Sequence, residues 1–171
     1  MTEPRILGLD PSLKSFGVCY PDGSTRTLEP PEKWPNVRKV GFHQQHLGAI
    51  LDEVKPQIVA LEDYTRQRNS ASTIQLAELG GVVRLLLHQK GYRCAFINPS
   101  TLKSYVTGKR AKEELTKAIT DHANRTFPTS DEADAWALAG MASDAYGFPW
   151  YRVPDKQRQA LKKVKWPALG Y

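Results

Sequence analysis

The chain has 171 residues, 40% of them apolar and 25% charged, which suits one globular domain with a single sizeable core and leaves no room for a second full domain. No apolar run is long enough to span a membrane, residues 1–5 do not read as a secretion signal, and the two cysteines, Cys19 and Cys94, lack metal-ligand spacing; a reduced, soluble, cytoplasmic protein with no membrane partner is expected. The net charge of +6 suits a polyanionic partner but is uneven: from Phe148 to Tyr171 six basic residues stand against one acid, a +5 that leaves +1 for the rest.

Residues 5–10 alternate apolar and small side chains, and Phe16–Tyr20 is ended by Pro21-Asp22-Gly23, which predicts a strand, a return strand and a turn. Thr25–Leu28 reads as a third strand, residues 30–35 as a Pro-rich loop, and Val37–Val54 as a helix stopped before Pro56. Ile58–Leu61 is a short apolar strand, and residues 63–72 form a polar loop holding Arg66 and Arg68. The helix predicted over Thr73–Gln89 is apolar around much of its circumference, and Gly80-Gly81 permits another backbone to approach closely. A homodimer built on this helix is expected, against the plainer reading of a helix buried within one domain.

Arg93–Ile97 reads as a strand, Pro99–Val106 as a short helix, Lys112–Arg125 as a longer one and Asp131–Tyr146 as the last. Together these predict an α/β domain over residues 1–147, a mixed five-stranded sheet flanked by helices, followed by a basic C-terminal extension over residues 148–171.

Four acids stand out against this pattern. Asp10 and Glu62 each end a strand, where open α/β sheets place their sites. Asp131 and Asp134, three apart, share one helical face, and Asp134 continues into the core-directed stripe of Ala135 and Leu138. Partly buried acids need a counter-charge, and no cluster of Lys or Arg surrounds these four in the sequence. Oxygen ligands without His or Cys favour Mg²⁺ or Mn²⁺ over zinc. Each acid also has a plainer reading. Thr129 and Glu132 have capping-box spacing, so Asp131 alone reads as a helix-start residue; Glu62 alone is a solvated strand end, and Asp10 before Pro11-Ser12 a turn opener. Asp134, inside an Ala-rich helix, has no such excuse, and the four together point to a metal site.

The segments ILGLDPSLKSFG, IVALED, NSASTIQLAELGGVVR, NPSTLKSYVTGK and SDEADAWALA, in that order between about Arg5 and Tyr146, resemble the RuvC-type Holliday junction resolvases of the RNase H-like superfamily. The basic tail is similar to bacteriophage members, which would place the protein in a bacterial host's cytoplasm. The resemblance implies an RNase H-like fold, a homodimer, and two Mg²⁺ ions per active site, with Mn²⁺ able to substitute, held by Asp10, Glu62, Asp131 and Asp134. It also implies paired nicks across four-way or related branched DNA, leaving 5′-phosphate and 3′-hydroxyl ends.

Lys103, in the PSTLK context, joins the catalytic set by the same resemblance, and Tyr64, Arg66, Arg68, Lys103, Lys109 and Lys112 are the expected DNA contacts. Two departures are specific. TGKRAKEE is shorter than the family's Gly-rich stretch, so the family's second lysine falls on Lys109 or Lys112, and Thr65 stands where a wedging aromatic is usual, with Tyr64 beside it.

Two other readings compete. One is a non-catalytic branched-DNA-binding protein on the same scaffold. The other is a fragment of an actin-like ATPase, because DPSLKSFGVCYPDG resembles that fold's phosphate-binding hairpin. For the extension, Asp155 after Pro154 can open an amphipathic helix lined inside by Ala160, Leu161 and Val164. It is expected either to bind DNA outside the cleft or to pack Trp150, Tyr151 and Trp166 onto the core.

Overall fold

A computed structural model of the chain describes residues 2–64, 71–108 and 115–170. The β-hairpin predicted at the start forms from β1 (Ile6–Asp10) and β2 (Phe16–Cys19), and a turn with Gly23 at φ +82° leads into β3 (Thr25–Leu28). These three strands run antiparallel; β4 (Ile58–Glu62) and β5 (Cys94–Ile97) add on the other side in parallel, giving the order β3-β2-β1-β4-β5.

Strand alternation divides the interior into two layers. Leu7, Leu9, Phe16, Val18, Val59 and Leu61 pack with helices α1 (Asn36–Val54) and α2 (Ala71–Gln89). Ile6, Ile58, Ala60, Ala95 and Ile97 face the opposite layer, made by α3 (Pro99–Thr107), α4 (Leu115–Ala123) and α5 (Ser130–Ala145). By the same alternation, Gly8 and Asp10 fall on the α5 side of β1, and Glu62 on the α5 side of β4.

Helix α5 lies close against β1 and β2 because glycines meet it there. A Cβ at Gly8 would sit 2.2 Å from the Ala135 carbonyl oxygen, and one at Gly17 would sit 2.0 Å from that of Asp131. The start of α5 is set by Thr129, whose hydroxyl accepts from the Glu132 N–H. The Glu132 carboxylate does not close a capping box. Its two oxygens accept from the Thr25 and Thr27 hydroxyls at 2.7 and 2.6 Å, tying the helix to β3.

Elsewhere α2 begins at Ala71, two residues before the expected start, and α4 occupies the middle of the predicted Lys112–Arg125 helix, whose first residues lie outside the described ones. Gly80 is filled by a neighbour in its own chain, since a Cβ there would meet the Tyr64 ring at 3.0 Å, whereas Gly81 is open. Of the pair, Gly81 is the one with space beside it among the described residues. Both cysteines are free thiols, and no helix among the described residues is long and apolar enough to cross a membrane.

The extension packs on the core. Val153, Ala160 and Val164 are buried in the α3–α5 layer, with Trp150, Tyr151, Leu161 and Trp166 against it. Asp155 does open a helix, but only a short one, α6 (Asp155–Arg158), continued as a 3-10 turn over Gln159–Lys163. Arg158 forms a two-pronged ion pair with Asp144 of α5 (2.7 and 3.1 Å), and the Tyr105 hydroxyl of α3 donates to the same carboxylate at 3.0 Å. The pairing offsets the cost of burying Asp144.

Candidate active site

Asp10, Glu62 and Asp134 converge at the end of the sheet, each offering a carboxylate oxygen within 4.8 Å of the others. The register explains the first two: Leu9 pairs with Leu61 across the parallel β1–β4 ladder, so the next residues, Asp10 and Glu62, stand side by side on the face that α5 covers. The close seating of α5 on Gly8 and Gly17 brings in Asp134. The three acids lie in a cleft of about 420 Å³ that Tyr64, Arg84, Lys103, Thr116 and Ser130 also line.

Burial and like charge act together here. Asp10, 8% exposed, has its carboxyl pushed well above the usual range, first by burial and then by the neighbouring charges of Glu62, Asp134 and Asp131. Burial, Glu62 and Asp131 push Asp134 up to about 7, and Lys103 acts the other way. Asp134 Oδ1 is buried with no hydrogen-bond partner among the described residues. An orphaned carboxylate oxygen aimed among other acids is a costly arrangement for the protein alone and a suitable one for a divalent cation. The donors are all hard oxygens, which fits the expected metal chemistry.

Asp131 is not part of the converged trio, but it is near enough for its charge to raise both Asp10 and Asp134. Lys103 and Tyr64, expected as DNA contacts, line the cleft. Arg66, Arg68, Lys109 and Lys112 lie outside the described residues.

Three contributors were missed from the sequence. Arg84 of α2 pairs with Asp63 and lies over the rings of Tyr64 (5.0 Å) and Phe96 (4.4 Å), forming one wall of the cleft. Its signal was a lone cation in the apolar run GGVVRLLL. Glu132 was mistaken for a capping residue, although the Thr-x-Thr of β3 offered two hydroxyls on one face of a strand. Gly17 carried no signal of its own beyond being a glycine within an apolar strand.

The family model described as Crossover junction endodeoxyribonuclease RuvC matches residues 33–141. The RuvC of Saccharopolyspora erythraea is 30% identical over 97% of this chain and 86% of its own length. That of Azorhizobium caulinodans is 31% identical over 79% of this chain and 86% of its own. Among solved structures, T. thermophilus RuvC in complex with Holliday junction substrate superposes with a TM-score of 0.66 at 19% identity, covering 80% of this chain and 90% of that one. The likeness of structure shows the same fold, a mixed five-stranded RNase H-like sheet flanked by helices.

Proposed function

Because the chain belongs to the RuvC family of crossover junction endodeoxyribonucleases, we propose that it resolves four-way DNA junctions by metal-dependent hydrolysis of phosphodiester bonds. The observation that carries this reading is the convergence of Asp10, Glu62 and Asp134, the last of which also has a buried carboxylate oxygen with no hydrogen-bond partner among the described residues. With Asp131 beside them, these residues would hold Mg²⁺ or, in its place, Mn²⁺. The metal, when bound, supplies Lewis-acid charge for the scissile phosphate and a water nucleophile usable near neutral pH.

The chain's own groups position the substrate. Lys103, whose charge reaches Asp134, would hold a phosphate oxygen at the cut, and Tyr64, 39% exposed and backed by Arg84 and Gly80, would offer a face for an unstacked base. We also assign a homodimer to the outer face of α2, where Ile74 (61% exposed), Leu85 (55%) and Gly81 form an apolar stripe that no described residue of the same chain covers.

Neither competing reading gains an observation. The family model and the curated relatives that match are crossover junction endodeoxyribonucleases rather than actin-like ATPases, and the acids that a non-catalytic reading would leave dispersed are assembled. The test is cleavage of a synthetic four-way junction beside a flap, a plain duplex and an RNA–DNA hybrid, with and without Mg²⁺. Preferred, metal-dependent nicking of the junction supports the proposal; no nicking of any branched substrate refutes it.

A further inference from the structure

The mechanism leaves one strongly charged surface unused. Lys156, Lys162, Lys163 and Lys165 of the extension are all exposed, and none is ion-paired among the described residues. Four unpaired cations within ten residues repel one another, an arrangement that a polyanion would relieve. They are not carried on a loose tail. Ala160 and Val164 anchor the same segment in the core, and the Arg158–Asp144 pair with its Tyr105 hydrogen bond clamps it to α5 and α3.

The surface also adjoins the cleft through α3. The 3-10 turn and α6 pack on α3, which carries Lys103 into the cleft, and a Cβ at Gly108, where α3 ends, would meet the Gln157 side chain at 3.0 Å. A nine-residue helix such as α3 is about 13 Å long, the rise of about four base pairs of duplex.

We propose that the C-terminal extension is a second, non-catalytic phosphate-binding surface, which grips the backbone of the duplex arm leaving the cleft across α3. This rests on the nuclease reading for the identity of the arm, but the contact itself is to any DNA backbone. Its chemistry is charge neutralisation without base readout, so it adds affinity and orientation and leaves the choice of scissile phosphate to the cleft.

The test replaces the four lysines by glutamine in the full-length chain carrying Asp134→Asn, so that binding is read without cutting. Binding to a four-way junction and to a plain duplex is followed across a salt series, beside a matched variant with four arginines. The expected result is roughly tenfold weaker binding at 150 mM salt to both DNAs, with the plot of log affinity against log salt shallower by about 2 to 4, since each lost phosphate contact removes about 0.9. The arginine variant should keep the parent slope. A glutamine variant that melts like its parent and keeps both affinity and slope overturns the proposal. If the unaltered chain binds DNA but cuts no junction, the nuclease reading falls while the slope comparison still decides the role of the extension. If it binds no DNA at any salt, both fall.

Discussion

Asp134 is the residue on which the site turns, because its environment favours a neutral carboxyl in the metal-free protein and an anion once a cation is present. The first prediction is that Asp134→Asn lowers metal-dependent cleavage by at least about a hundredfold, since the loss of even a group that only orients a metal ligand costs up to that much. Binding to the junction should persist. A second prediction concerns pH. The folded, metal-free protein holds Asp134 up to about 7, above its ordinary value of 3.8. The resulting stabilisation is full below the ordinary carboxylate range and is lost as pH rises through about 7. The melting temperature in chelator should therefore fall between pH 5 and 8. Asp134→Asn should reduce that fall, melt higher at pH 8, and be more stable there by about 1–3 kcal/mol. A metal-free variant that melts like its parent across this range contradicts the burial argument.

At the same scale, Gly17→Ala places a methyl against the Asp131 carbonyl and must push the start of α5 away from β2. We expect about 1–3 kcal/mol of lost stability in urea melts and at least tenfold slower single-turnover cleavage, because a small displacement of one ligand helix spoils the convergence of the acids. Asp10, Glu62 and Asp134 were readable in the sequence because carboxylates at the ends of apolar strands, or inside an Ala-rich helix, contradict their own surroundings. Glu132 was not readable in the same way, because its distance from Thr129 imitates a local cap and its true partners are more than a hundred residues away.

At the scale of elements, the strands and most helices followed from periodicity and punctuation; each strand was found within a residue of its expected bounds. The extension was harder to read, because a lysine-rich stretch with scattered apolar residues is equally consistent with a solvated arm and a packed strap. The Asp144–Arg158–Tyr105 cluster decides for packing, and it joins three elements that are distant in sequence. Arg158→Met should cost about 3 kcal/mol, since it leaves the buried Asp144 carboxylate without its cation, and adding Asp144→Asn should recover part of that loss. Urea melts of the single and double variants check this; equal stability of the single variant and its parent would remove the clamp. Leu85→Glu on the outer face of α2 should convert a dimer of about 38 kDa, twice the 19.2 kDa chain, into a monomer by sedimentation. A parent chain that sediments only as a monomer at micromolar concentration contradicts the assigned face.

On the scale of the whole molecule, the charge is divided between an acidic cleft that concentrates cations and a basic strap that attracts phosphates, joined by α3 with Lys103 at its inner side. The two signs suit the two needs of a metal-dependent nuclease, a cation at the cut and a grip on the DNA backbone beyond it. The most direct test of the account is single-turnover cleavage of a four-way junction by the unaltered chain and by Asp134→Asn, titrated with Mg²⁺ from zero. The account predicts nicking that rises with the metal in the first protein and stays at background in the second while the junction remains bound; metal-independent nicking, or full cleavage by Asp134→Asn, would contradict it.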